Sequence, residues 1–121
     1  MINKKNMNLS ELEIMKKIKE AKKFQKLGKF KEAEKVYAGA LKNNENSFDL
    51  IFSYALFSKD LKNFVFAKKL LVNLTKKFPL NIKSFIVLSE ILTTENRFSE
   101  AEQVLLLAKN ISPKNSDLLY N

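Results

Sequence analysis

The residues best placed to attempt acid–base chemistry are paired carboxylates, Glu32 with Glu34 and Glu100 with Glu102. A spacing of i, i+2 on a helix turns two side chains to different faces, so these pairs read as solvated charges. The sequence contains no His and no Cys. That removes the usual zinc ligands, thiol nucleophiles, disulfides and the commonest general base. No glycine-rich phosphate cradle and no nucleophile–base set is present. The chain is expected to be no enzyme, with no catalytic residues, no cofactor and no metal.

Charge is the other chemical resource. The chain carries 22 basic and 13 acidic residues, for a net charge of +9. Residues 1–45 hold a net +6, residues 46–80 a net +4 and residues 81–121 a net −1. A basic surface attracts acidic partners or phosphates. The plainer reading is Lys and Asn filling solvent-facing helix positions. Against nucleic acid, Arg97 is the one Arg, and Lys is a point charge with poor base readout. Lys16, Lys17, Lys19, Lys22, Lys23 and Lys26 also go round a helix instead of forming one stripe.

Something must position these groups, and the sequence points to helices. At 121 residues the chain is one domain at most, with a core of ordinary size. It has two Gly and two Pro, too little punctuation for a β-rich fold. No stretch approaches the roughly 20 apolar residues of a membrane span, and residues 1–13 lack the apolar run of a signal peptide. A soluble, cytoplasmic chain is expected.

An internal repeat sets the architecture. Ala33, Ala67 and Ala101 are 34 residues apart, and Phe30, Phe64 and Phe98 precede each by three. Ala21, Ala55 and Ser89 form another register, and Tyr37, Leu71 and Leu105 a further one. Pro79 and Pro113 share the period, with Glu45 in the equivalent first place. Within each unit the apolar spacing is helical, as in Ile14, Ile18 and Ala21, then Ala33, Tyr37 and Ala40. Each unit is therefore a helix A, a tight turn and a helix B. The units run over about 14–47, 48–81 and 82–115, after a tail of 1–9 and before a partial fourth unit or cap at 116–121.

Boundary signals agree. Ser10 with Glu13 reads as a capping box and Leu9 with Ile14 as a hydrophobic staple, starting the first helix near Glu11. Ser47 and Asn81 suit the N-caps of the next A helices. Gly28 stands where the first A-to-B turn needs a permissive backbone, a place taken by Lys62 and Asn96 in the later units. Small residues let the A and B backbones approach closely, with Phe30, Phe64 and Phe98 expected to fill the gap beside them.

These features resemble the tetratricopeptide (TPR) repeat. The small residue in A, the aromatic and Ala opening B, the large residue later in B and the closing Pro all match over residues 14–115. The stretch LGKFKEAEKVYAGAL is particularly close. The resemblance implies a single all-α domain, a right-handed superhelical solenoid of antiparallel helical hairpins. The bulky aromatic often found early in helix A is Lys17 and Ile51 in the first two units and Phe85 in the third, so the first hairpin is expected to be the loosest. Leu118, Leu119 and Tyr120 begin a fourth A helix. Either the chain is part of a longer one, or a partner or second copy covers this end.

The resemblance further implies a concave groove lined by the A helices. Helical spacing then assigns Met15, Ile18, Lys19, Lys22 and Lys26 to it from the first unit. The second unit gives Asp49, Phe52, Ser53, Leu56 and Lys59, and the third Lys83, Ile86, Val87, Glu90 and Thr94. Its centre is apolar beside a basic ridge. One TPR subclass grips carboxylate tails through Lys, Asn and Arg. The matching positions hold Ile18, Lys22, Ser53, Lys83 and Val87, so no such clamp is expected. The reading is a protein–protein interaction scaffold that binds a peptide or protein segment in the groove. The alternatives are nonspecific nucleic-acid or anionic-surface binding through the Lys-rich N-terminal hairpin, and a self-assembly module of a longer protein; a homodimer would form through the groove or the C-terminal end.

Overall fold

The computed structural model describes residues 9–112 of the chain. Those residues form six α-helices: α1 (Leu9–Lys26), α2 (Phe30–Asn43), α3 (Phe48–Asp60), α4 (Phe64–Lys77), α5 (Lys83–Thr94) and α6 (Phe98–Ile111). No strand occurs among them. The chain divides into two compact units, Met1–Ser53 and Tyr54–Asn121, with the division inside α3.

The 34-residue period of the sequence is also a period of the backbone. Helices α2, α4 and α6 start at Phe30, Phe64 and Phe98, and each has 14 residues. The residues preceding them share one conformation, with φ −91 and ψ 71 at Lys29, −83 and 72 at Asn63, and −95 and 65 at Arg97. The turns before them repeat too. Gly28, Lys62 and Asn96 have φ of 72, 63 and 62. Each closes the preceding A helix with a double hydrogen bond. Gly28 N–H donates to the Gln25 carbonyl and Lys29 N–H to Phe24. Lys62 and Asn63 donate likewise to Lys59 and Ser58, and Asn96 and Arg97 to Thr93 and Leu92. These pairs satisfy carbonyls that the helix end leaves open.

Capping follows the sequence with small shifts. Ser47 Oγ accepts from Leu50 N–H at 3.3 Å, and Asn81 Oδ1 accepts from Lys83 N–H at 3.1 Å, one residue ahead of the helix-flanking Ile82. Ser10 is already helical. It is therefore not an N-cap, since a side-chain cap worth about 1 kcal/mol does not by itself stop a helix. The staple through the Leu9 side chain, Pro113 and the segment 116–121 lie outside what is described.

In the first unit α1 packs on α2, and Tyr37 Oη donates to Gln25 Oε1 at 2.7 Å across that pair. Ala21 and Ala33 are both wholly buried, as close helix contact requires. In the second unit α5 packs on both α4 and α6. Tyr54 of α3 meets Phe66 of α4 edge-on, with centroids 5.1 Å apart. Leu71 and Leu74 are fully buried, and Phe85 with Ala108 centres a cluster joined by Ile82, Ile86, Val104, Leu105 and Ile111. One packing expectation is corrected. Phe30 and Phe98 are 46% and 59% exposed and do not fill an interior gap. Each is the first residue of its helix, where the side chain stands over the turn and not over the helix–helix contact.

Candidate partner-binding surface

Helix α3 carries FDLIFSYALFSKD, apolar nearly all round. Leu50, Ile51, Tyr54, Ala55, Phe57 and Ser58 are buried. Phe52, Ser53, Leu56 and Lys59 are only partly covered, and Asp49 is exposed. Positions 49, 52, 53, 56 and 59 recur at helical spacing, so one side of α3 stays open. Phe52 stacks on Phe48 with centroids 5.3 Å apart, which fixes an aromatic pair on this side.

The α5 residues assigned to the same surface differ among themselves. Lys83 and Glu90 are exposed and Ile86 is half-buried, but Val87 is buried at 8% exposure. Lys59 Nζ lies 3.3 Å from Glu90 Oε2, an ion pair that brings an α3 residue and an α5 residue together within the second unit. Its partners are 31% and 52% exposed, so it orders this edge more than it stabilises the fold. Lys83 and Ile86 also line an open, mainly apolar cleft of about 810 Å³ with Phe78, Leu80, Ile82 and Ile111.

On α1, Lys19, Lys22 and Lys26 are exposed, while Met15 and Ile18 are half-buried. A recess of about 920 Å³ opens elsewhere on this hairpin, lined by Glu13, Lys16, Lys17, Glu20 and Lys35 among others. Helical spacing turns those α1 residues away from Ile18, Lys22 and Lys26. Both signs of charge line it. The carboxylates considered for chemistry, Glu32, Glu34, Glu100 and Glu102, are exposed, and Glu100 pairs with Arg97 at 2.8 Å. None of the described helices is long and apolar enough to cross a membrane.

Two features escaped the sequence reading. Asn63 Oδ1 accepts from Phe66 N–H at 3.4 Å and so caps α4. Its position just after the left-handed Lys62 was the available signal. The ion pair of Lys68 Nζ with Glu95 Oε1 at 2.7 Å spans 27 residues, a separation that helical spacing rules do not address.

No protein-family model matches the chain. No curated protein matches it either. Solved structures do match. One is the type III secretion translocator chaperone SycD of Yersinia enterocolitica, described as an alternative dimer. The likeness has a TM-score of 0.75 and 14% sequence identity, and covers 88% of this chain and 81% of that one. At that identity the likeness is one of fold, and with the 34-residue backbone period it makes this chain an all-α, TPR-like helical repeat protein.

Proposed function

We propose that this chain is a three-repeat TPR module that binds a peptide or protein segment through the open side of its A helix α3. The observation that carries this reading is the side of α3 bearing Phe52 and Leu56. Large apolar side chains left partly in water, beside a helix otherwise buried, are a cost to the free protein that a partner relieves. Lys19, Lys22 and Lys26 are exposed on α1, and a basic helix favours a partner that carries acidic residues. The fold neighbour SycD is named a translocator chaperone, which supports a role in holding another protein. On this reading the chain carries out no catalysis and works in the cytoplasm.

The test is capture of a partner by the full chain and by its Phe52→Ala/Leu56→Ala variant, with helicity followed by circular dichroism. Loss of capture with helicity intact supports the reading, and undiminished capture removes it. Self-association is a second reading, favoured by the dimeric description of SycD. Light scattering over a concentration series separates the two.

A further inference from the structure

The outer side of α4 has a composition that folding does not explain. Val65 is 79% exposed and Val72 38% exposed, seven residues apart. Lys69 and Lys76 are exposed between and beyond them. Positions 65, 69, 72 and 76 fall in one narrow stripe, opposite the buried Ala67, Leu70, Leu71 and Leu74. Val is a weaker helix former than Ala, and Val65 gains little burial in return, while Val72 keeps more than a third of its surface in water. From Phe64 to Lys77 the helix has no acidic residue. Lys68 is held by Glu95, while Lys69 and Lys76 have no acidic partner among the described residues.

The internal repeat supplies the control. The places of Val65 and Val72 are taken by Lys31 and Ala38 in α2 and by Ser99 and Leu106 in α6. The place of Lys68 holds Glu34 and Glu102. Only α4 joins two exposed Val to purely basic neighbours. Val65, Lys68, Lys69, Val72, Asn73 and Lys76 together line a shallow, open depression on this side of the helix.

We infer that this face of α4 is a second docking surface, separate from the A-helix sides, and that it takes an acidic amphipathic helix of another protein. Apolar side chains seven residues apart on such a helix are about 10 Å apart, the spacing of Val65 and Val72. Glu residues beside them meet Lys69 and Lys76. A helix is favoured over a lipid surface because the apolar groups of the stripe are short Val side chains. Interfacial membrane helices instead present large apolar groups such as Trp, Phe or Leu.

The test is an amide-resolved NMR titration of the full chain with a synthetic 21-residue helical peptide bearing Leu every seven residues flanked by Glu. The expected result is shifts confined to α4 around Val65, Lys69, Val72 and Lys76. Lys69→Glu/Lys76→Glu should weaken binding about tenfold or more, and so should replacing the peptide's Glu by Gln. Val65→Ala/Val72→Ala, which favours the helix, should weaken it while the protein spectrum stays folded. Phe52→Ala/Leu56→Ala should leave it unchanged, so this surface stands or falls apart from the first. Absence of binding, or shifts centred elsewhere, overturns the inference. So do the same α4 shifts with phosphatidylserine vesicles but not with the peptide, which point to a lipid surface. Concentration-dependent α4 shifts without any probe also overturn it, since they point to a second copy.

Discussion

The two glycines of the chain should respond to the same substitution with opposite signs. Gly28 has φ +72, and Gly39 lies inside α2 with nothing within 4 Å of a Cβ built on it. At Gly39 an added methyl meets open space, so the helix gains the propensity difference of about 1 kcal/mol. At Gly28 the same methyl sits in a left-handed backbone that costs an L-residue about 1–2 kcal/mol. Stiffening of the unfolded chain returns part of that, leaving a net loss of about 0.5–1 kcal/mol. The two variants should therefore differ by close to 2 kcal/mol, or about 8 °C in Tm for a chain of this length. Urea titration and thermal melts by circular dichroism read both. If Gly28→Ala and Gly39→Ala shift stability in the same direction, the assignment of Gly28 to a strained turn is wrong.

Other outcomes follow from the core and its edges. Ser84 is fully buried and its Oγ has no hydrogen-bond partner. Ser84→Ala should raise stability by about 1 kcal/mol in urea titration, by removing an unsatisfied polar group. Leu71 is also fully buried, and Leu71→Ala should cost about 2–5 kcal/mol in the same assay. Glu90→Gln breaks the partly exposed pair with Lys59, and its effect on thermal stability should stay within about 0.5 kcal/mol and vanish in high salt.

The repeat was legible because each of its parts has a local cause. Ala33, Ala67 and Ala101 mark close backbone contact, and Gly28, Lys62 and Asn96 share the left-handed turn that closes each A helix. Lys62 shows the limit of residue type as a guide. Its neighbours impose the turn although Lys has no preference for it, so only the spacing from Gly28 reveals it. The exposure of Phe30 and Phe98 was not legible. A hydrophobic residue at a fixed register looks like core in a sequence, whereas its burial depends on where the helix start points it. The α4 stripe was not legible because apolar residues on both sides of α4 look like a helix buried all round, although spacing sets Val65 and Val72 opposite Ala67 and Leu71.

The open side of α3 is the surface on which the proposed partner binding depends. The measurement closest to it places a photo-crosslinking amino acid at Leu56 and, as a control, at the exposed Lys35 of α2, in the full chain within living cells. A discrete crosslinked protein band from position 56 and none from position 35 is the result expected. No product at position 56, or the same products at both positions, would contradict it.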